Sequence, residues 1–176
     1  VADSLYLNKD TKYNLNDIAE RLKFPLFVKP NSGGSSFATT KVKAIDQLQH
    51  AIDVAFGETP DVIVESFIEG CEVTCGCYKI KEKEVVLPIT EVVTPNEFFN
   101  YEAKYEGQVE EITPARISAE MTTEIQKLTC KIYDLVGAKG LIRVDFIISD
   151  NRPYLLEVNT VPGMTSHSLV PKAAQA

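Results

Sequence analysis

Two carboxylates, one amide and one guanidinium are spaced in the segment 140–164 so that they could form one site. Arg143 and Asp145 are two positions apart, and so are Glu157 and Asn159. Alternate side chains of a β-strand point to the same face, so each pair shares a face of its predicted strand. Asp, Glu and Asn offer hard oxygen ligands, which suit Mg²⁺ better than zinc. The pattern favours a magnesium site, although a solvated polar face on an ordinary hairpin would have the same spacing.

A β-hairpin must bring these side chains together. The segments 141–148 and 154–158 are rich in β-branched and apolar residues, and the polar residues between them are typical of a turn. Strict alternation along the second strand predicts that Tyr154, Leu156 and Val158 share its apolar face. The polar residues then fall on the other face of both strands.

A three-residue turn over residues 150–152 would place Asp145 opposite Glu157 and Arg143 opposite Asn159. Cβ atoms of directly paired residues lie about 4.5–5.5 Å apart, and like charges at that spacing repel. A cation between the two carboxylates would remove this cost. A Pro-Gly loop follows the second strand directly, so we expect a metal-and-phosphate site here.

The composition is that of an acidic globular protein. The chain has 176 residues, 44% hydrophobic and 24% charged, with a formal net charge of −7, enough for one sizeable domain or two small ones. Such a charge argues against a nucleic-acid or anionic-membrane surface, and no apolar run could span a bilayer. The four cysteines lack a metal-binding spacing and are typical of reduced core residues. We therefore expect a cytoplasmic protein without nucleic-acid or membrane partners.

A second candidate site lies where a strand ending near Lys29 precedes a Gly/Ser loop over residues 31–37. Backbone N–H groups of such a loop can bind phosphate oxygens, and glycine permits the close approach. The lysine precedes the glycines, so this is not a P-loop. An ordinary flexible loop beside a surface lysine would have the same composition. Further on, an apolar strand ending in Glu65 is typical of a hinge between two lobes, with a solvated acidic turn as the alternative.

The remaining periodicity predicts an α+β fold. Residues 94–116 show no period, and so long a stretch inside a compact domain is usually functional. We expect this segment to be a lid that carries Lys104, with a merely mobile insertion as the alternative. Helices are predicted over 14–22, 44–56 and 118–136, and further strands over 3–7, 26–30, 39–43, 61–66, 72–80 and 85–93.

The order of the motifs is similar to that of one known family. LFVKPNSGGSS, VESFIEGCE, YEAKY, GLIRVDFI and YLLEVNTVPGMTSHSLVP together resemble the D-alanine–D-alanine ligases of the ATP-grasp superfamily. The resemblance covers essentially the whole chain, and YEAKY and EVNTVPGMTSHSLVP are the motifs specific to the ligases. It implies an α+β ATP-grasp fold, in which two lobes with antiparallel sheets grip ATP. We expect these lobes at residues 1–66 and 67–176.

The resemblance also implies a role for particular residues. The nucleotide would be bound by Lys29, Ser36, Glu65, Phe67, Ile68, Glu72 and Lys104. Mg²⁺, or Mn²⁺ in its place, would be held by Asp145, Glu157 and Asn159. The catalytic set would be Ser35, Tyr105, Arg143 and the backbone of Gly163. Ser168 and Leu169 would hold the second D-alanine.

The implied reaction joins two D-alanine molecules for peptidoglycan synthesis, through a D-alanyl phosphate formed from ATP. The implied full-length protein is a homodimer. The chain has no initiator methionine, and the family's N-terminal domain lies outside it, so we expect a piece that is inactive alone. Ser66 and Ala38 stand where many family members have lysine and glycine. Two alternatives remain open, another ATP-grasp carboxylate–amine ligase and a nucleotide-binding fragment without turnover.

Overall fold

The computed structural model describes residues 1–32, 36–81, 83–94 and 109–176. They fall into two compact units, one formed by Ala2–Ile68 and the other by residues 69–94 and 109–176. Each unit has its own antiparallel sheet and its own helices, which is the α+β arrangement predicted from the sequence. The first unit ends at Ile68.

The first unit contains a four-stranded antiparallel sheet and two helices. Its strands are β1 (Ser4–Asn8), β2 (Leu26–Pro30), β3 (Thr40–Val42) and β4 (Asp61–Ser66), in the spatial order β1-β4-β2-β3. Its helices are α1 (Leu15–Leu22) and α2 (Ile45–Glu58). Asn14 caps α1 by accepting a hydrogen bond from the Asn16 N–H. Helix α2 continues through Gly57, beyond the predicted end at Phe56, and ends where Thr59 becomes extended.

Alternation places the core of the first unit on one face of its sheet. Val28 of β2, Val64 of β4 and Leu48 of α2 are fully buried and pack together. Because alternate residues of a strand face opposite ways, Lys29 and Glu65 must point to the other face. Packing in this unit therefore orients two of the candidate nucleotide-binding residues.

The second unit contains a larger antiparallel sheet and two helices. Its strands are β5 (Cys71–Ile80), β6 (Lys83–Val86), β7 (Thr90–Val93), β8 (Glu110–Ile112), β9 (Leu141–Ser149) and β10 (Arg152–Asn159). The order is β10-β9-β5-β7-β8, and β6 also pairs with β5. Its helices are α3 (Ala119–Leu135) and α4 (Leu169–Gln175). One strand was predicted over 85–93, but the ladder breaks between β6 and β7, where Pro88 has no N–H to donate.

The two faces of this sheet have different coverings. On one face Val73, Val144 and Phe146 pack with Ile125 of α3 and are at most 1% exposed. On the other face Leu87 packs with residues of α4. The second face also carries the predicted metal-site residues, so α4 is anchored on the side of the sheet where they lie.

All four cysteines are free, and Cys75 and Cys77 are buried in the core of the second unit, as predicted. None of the helices in the described ranges combines the length and apolar character needed to span a lipid bilayer.

Candidate functional site

The β9–β10 hairpin has a tighter turn than the sequence predicted. Arg152 pairs with Ser149, so the turn has two residues, Asp150 and Asn151, and not three. Both turn residues have positive φ, 47° and 57°. Positive φ at both positions is typical of a type I′ turn, whose twist matches that of the flanking strands.

A β-bulge restores the pairing that the shorter turn would have shifted. Leu155 pairs with Phe146 and Glu157 pairs with Asp145, so Leu156 is an extra residue in β10. Beyond the bulge Asn159 pairs with Arg143. The predicted pairing of the polar residues is therefore confirmed, although it arises from a two-residue turn and a bulge together.

The bulge also changes which side chains of β10 reach the core. Leu155 and Val158 pack against the core with Ile148. The prediction that Tyr154, Leu156 and Val158 share the apolar face is wrong, because one extra residue interrupts the alternation between Leu155 and Glu157.

Asp145 is the centre of the candidate metal site, and its carboxylate accepts four hydrogen bonds. The Arg143 guanidinium donates two, Nε to Oδ1 at 2.8 Å and Nη2 to Oδ2 at 2.7 Å. The Thr74 hydroxyl donates to Oδ1 at 2.6 Å, and Nδ2 of Asn159 donates to Oδ2 at 3.0 Å. Asp145 is 7% exposed, so these donors replace the water that burial removes.

Arg143 supplies the cation that the carboxylate pair was predicted to need. Its Nη2 lies 3.8 Å from Oε1 of Glu157, which also accepts a hydrogen bond from Asn159 Nδ2 at 3.0 Å. Burial by itself would lower the pKa of the Arg143 guanidinium. Hydrogen bonds and negative charge from Asp145, with further charge from Glu157, outweigh burial and raise that pKa. The repulsion expected between the two carboxylates is thus relieved by a protein side chain.

The donor set fits a hard divalent cation. Nδ2 of Asn159 lies 3.0 Å from a carboxylate oxygen of Asp145 and 3.0 Å from one of Glu157, so the side chains of the three predicted ligands meet at one point of the sheet. Among the described residues there is no group of three or more His, Cys, Asp and Glu that could hold a metal ion. A metal here would therefore depend on the two carboxylates and on the Asn159 amide oxygen, which would have to turn toward them in place of the nitrogen.

Sequence reasoning missed Thr74, which pairs directly with Asp145 across β5 and β9. Its alternation with Glu72 and Gly76 was visible in the sequence. The sequence did not show which strand pairs with β5, because Asp145 on β9 lies 71 residues after Thr74.

The loop after β10 is closed by Ser168 at the start of α4. The Ser168 hydroxyl contacts Thr165 Oγ1 at 2.9 Å and accepts a hydrogen bond from the Thr165 N–H at 3.2 Å. A Cβ atom on Gly163 would lie 2.8 Å from that hydroxyl, so only glycine fits this approach without a shift. Leu169, half-buried, is the first residue of α4. The two predicted substrate residues thus follow a loop that folds back on itself.

In the first unit the structure brings together Lys29 and Glu65. Lys29 Nζ lies 2.7 Å from Glu65 Oε1, and both side chains are partly exposed. Next to them Phe67 packs against Phe27, with ring centroids 5.9 Å apart, and Lys41 Nζ lies 3.9 Å above the Phe67 ring. Sequence reasoning singled out Lys29 but missed Lys41, which β2–β3 pairing places opposite Phe27.

For the other residues predicted to bind nucleotide, the structure gives backbone conformation, burial or strand pairing. Ser36 has a φ of 58°, and Ile68 is partly buried at the end of the first unit. Glu72 belongs to the second unit, where it pairs with Ile147 and Val92. Ser35, Lys104 and Tyr105 lie outside the described residues. Within the expected lid segment, residues 110–112 form β8 against β7 and are therefore not structureless.

Comparison with known proteins identifies relatives of the whole chain. Residues 4–176 match the family described as D-ala D-ala ligase C-terminus. A D-alanine–D-alanine ligase of Parabacteroides distasonis is 58% identical over 177 residues, covering 100% of this chain and 54% of the relative. One from Porphyromonas gingivalis is 54% identical over 178 residues, with the same coverage of each. The chain thus spans about half the length of these curated relatives.

Solved structures with the same fold carry related names. VanG D-Ala:D-Ser ligase from Enterococcus faecalis has a TM-score of 0.84 and 36% identity, over 99% of this chain and 52% of that one. A D-alanine–D-alanine ligase from Bacillus anthracis, solved in complex with ATP, has a TM-score of 0.80 and 33% identity, over 99% and 54%.

Proposed function

The chain belongs to the family of D-alanine–D-alanine ligase C-terminal domains, and on that premise we propose that it is the ATP-binding and catalytic part of an ATP-dependent ligase. The ligase joins two D-alanine molecules for peptidoglycan precursor synthesis. The observation that carries this proposal is the pairing of Asp145 with Glu157 and of Arg143 with Asn159 on one face of β9 and β10. This pairing brings three potential metal ligands next to the Arg143 guanidinium, and phosphoryl and acyl transfer need both a metal site and a cation.

We propose that Lys29, Glu65, Phe67, Ile68, Glu72 and Ser36 bind ATP. Lys29 already holds a carboxylate oxygen at 2.7 Å, and an ammonium group is equally suited to phosphate oxygens. Phe67 offers an apolar ring for the base, beside Lys41 as a further cation. The expected lobes, 1–66 and 67–176, would then be the two halves of an ATP-grasp fold. Ser35, Lys104 and Tyr105 keep their proposed roles over the phosphates.

In the same proposal Asp145, Glu157 and Asn159 hold Mg²⁺ or Mn²⁺. The bound metal would neutralise charge on the transferring phosphate. Arg143 and the Gly163 N–H would stabilise negative charge on the oxygen of the acyl centre, first as D-alanyl phosphate forms and then as the second amine attacks it. Ser168 and Leu169 would orient the amine of that second D-alanine. The two contacts between Ser168 and Thr165 would hold the Ser168 side chain in place directly before α4.

The direct test is ATP-dependent condensation by the full-length protein. We expect D-alanyl-D-alanine by chromatography, with one phosphate released per dipeptide, and loss of both in Arg143→Met. D-Serine should be tested as a competing second substrate, because one structural neighbour is a D-Ala:D-Ser ligase. ATP binding without any dipeptide would instead support a nucleotide-binding protein without turnover. A product from a different carboxylate and amine would support another ATP-grasp ligase.

We also propose that residues 1–176 alone bind nucleotide weakly and do not condense D-alanine at a useful rate. Holding two reactants in line can be worth about 7–11 kcal/mol of barrier, and this chain spans only about half of its relatives. A cytoplasmic location, a homodimer of the full-length protein, and the absence of nucleic-acid or membrane partners belong to the same proposal. Light scattering of the full-length protein tests the dimer.

A further inference from the structure

We propose that Thr74 is a positioning residue for the metal site: its hydroxyl fixes one carboxylate oxygen of Asp145 and so sets the direction in which the other faces the metal. This inference rests on the proposed function, because it takes Asp145 to be a metal ligand. Thr74 itself would not touch the metal or the substrate.

The contact is built into the middle of the sheet. Thr74 lies on β5 and pairs directly with Asp145 on β9, so the two side chains share one face. Thr74 is 5% exposed and Asp145 is 7% exposed. The distance of 2.6 Å from Thr74 Oγ1 to Asp145 Oδ1 is short, as expected for a hydroxyl donating to a charged acceptor.

The Thr74 side chain has less conformational freedom than the other hydrogen-bond donors to Asp145. A threonine is β-branched and stiff about χ1, and here its backbone is held by strands on both sides. Arg143 and Asn159 reach Asp145 through longer or rotatable groups. Both are also needed elsewhere in the proposed reaction, Asn159 as a ligand and Arg143 at the acyl centre. Thr74 is therefore the donor that can stay in place when a metal takes up the other side of the carboxylate.

The bonding pattern also separates the two carboxylate oxygens. Oδ1 is held by Thr74 and by Arg143 Nε, whereas Oδ2 contacts Arg143 Nη2 and Asn159. Because Asn159 also contacts Glu157, Oδ2 lies on the side where the three proposed ligands meet. The hydroxyl of Thr74 thus binds the oxygen that points away from the ligand set. Partners that orient first ligands in this way typically change metal affinity about 10–100-fold when removed.

The test measures Mn²⁺ binding to the full-length protein by electron paramagnetic resonance, with and without a non-hydrolysable ATP analogue. Thr74→Val keeps the shape and removes the hydroxyl, and we expect it to weaken Mn²⁺ binding about tenfold or more. Thr74→Ser keeps the hydroxyl and should bind within a few-fold of wild type. In the condensation assay Thr74→Val should raise the Mg²⁺ concentration needed for half-maximal rate more than it lowers the rate at saturating Mg²⁺.

Thr129→Val is the matched control. Thr129 is fully buried in the same unit, and its hydroxyl donates to the Ile125 carbonyl at 2.8 Å and to no candidate site residue. Its Mn²⁺ affinity should equal that of wild type, whatever its melting temperature. If Thr74→Val does not fold, Thr74→Cys keeps nearly the same volume with a weaker donor and should show the same loss.

The outcomes separate this inference from the proposed function. Unchanged Mn²⁺ affinity in Thr74→Val, with or without a lower melting temperature, would mean that the hydroxyl only satisfies a buried carboxylate, and the inference fails. Loss of affinity in Thr74→Ser as large as in Thr74→Val would also overturn it. Failure of the wild-type protein to bind Mn²⁺ with the nucleotide would overturn the proposed metal site itself, and this inference with it.

Discussion

The Asp145 carboxylate has its acceptor capacity filled by protein groups. Two carboxylate oxygens offer about four lone-pair positions, and Thr74, Arg143 and Asn159 donate four hydrogen bonds to them. Any metal ligated by Asp145 must displace at least one of these donors. Arg143, already a cation, is thus in competition with the proposed metal for the same oxygens.

These hydrogen bonds predict that substitution of Asp145 destabilises the metal-free protein. Asp145→Asn removes the charge that partners a mostly buried guanidinium, so the metal-free protein should lose about 1.5–3 kcal/mol of unfolding free energy. Urea denaturation in the presence of chelator measures this. Glu157→Gln is the control, because Glu157 is 57% exposed and lies 3.8 Å from Arg143, and its change should be under about 1 kcal/mol. If Asp145→Asn is as stable as wild type or more so, repulsion between the carboxylates outweighs the bond to Arg143.

A second ion pair predicts a dependence on pH. Glu91 is 8% exposed and its carboxylate accepts two hydrogen bonds from the Arg116 guanidinium, at 2.9 and 2.7 Å. These bonds hold the pKa of Glu91 below its ordinary value of 4.5, although burial opposes them. A carboxyl whose pKa is lowered by folding stabilises the protein above its unfolded pKa, and that stabilisation is lost as the pH falls through the folded value.

Glu91→Gln should therefore cost about 1 kcal/mol at pH 7, a low figure because Arg116 is 62% exposed to screening solvent. The difference from wild type should shrink as the pH is lowered below 4.5. Thermal unfolding of both proteins from pH 7 down to about pH 3 checks this. A difference that stays constant across the range would assign the effect to shape and not to charge.

At the scale of elements, the β9–β10 hairpin shows what the sequence could and could not predict. Alternation along β9 correctly put Arg143 and Asp145 on one face. The predicted turn was one residue too long, and the one-residue bulge in β10 was not predicted. The two errors cancelled at Glu157, which still pairs with Asp145. A bulge leaves no local mark in residue type, because Leu155 and Leu156 are equally apolar and only packing against Phe146 selects between them. The break at Pro88, by contrast, could have been predicted from the missing N–H.

Two single-residue deletions in β10 test how the bulge works. Removing Leu156 deletes the extra residue and leaves Glu157 opposite Asp145, so Mn²⁺ binding should stay within a few-fold of wild type. Removing Val158 instead moves Asn159 opposite Val144, on the core face, and should abolish binding. Calorimetric titration with Mn²⁺ and an ATP analogue compares the two. Equal loss in both would mean that the bend made by the bulge, and not the pairing, places Glu157.

The start of α3 gives a test of helix capping. Ser118 precedes the helix, and its hydroxyl accepts a hydrogen bond from the Met121 N–H at 3.1 Å. Ser118→Ala should lower the unfolding free energy by about 1 kcal/mol, and Ser118→Asp should retain it because Asp also caps helices. Chemical denaturation followed by far-UV circular dichroism measures both. A loss in Ser118→Asp equal to that in Ser118→Ala would argue against a capping role.

At the scale of the whole molecule, each unit buries its own set of apolar residues. Leu48 is fully buried in the first core, and Phe146 is 1% exposed in the second. Sequence periodicity identified most of these residues, since helices and strands of the first unit match their predicted ranges to within a few positions. It could not assign the segment 95–108, which lies outside the described residues. That segment contains the proposed residues Lys104 and Tyr105.

Because each unit has its own core, a substitution in one core should mainly destabilise the unit that contains it. Leu48→Ala should cost about 2–5 kcal/mol, and Phe146→Ala about 3–5 kcal/mol. Native-state hydrogen exchange read by mass spectrometry should show faster exchange in residues 2–68 for the first variant. For the second variant the faster exchange should be confined to residues 69–94 and 109–176. Equal acceleration in both units by either variant would show that they open as one.

The distribution of cysteines allows the opening of one unit to be followed by thiol labelling. All four cysteines belong to the second unit, and residues 2–68 contain none. Burial raises the pKa of Cys71, Cys77 and Cys130, and it raises the pKa of Cys75 to about 12. Alkylating reagents react with the thiolate, and Cys75 and Cys77 are buried, so labelling of these two thiols requires the second unit to open. Their labelling by a pulse of iodoacetamide under native conditions would therefore report openings of the second unit alone, because residues 2–68 have no thiol to label.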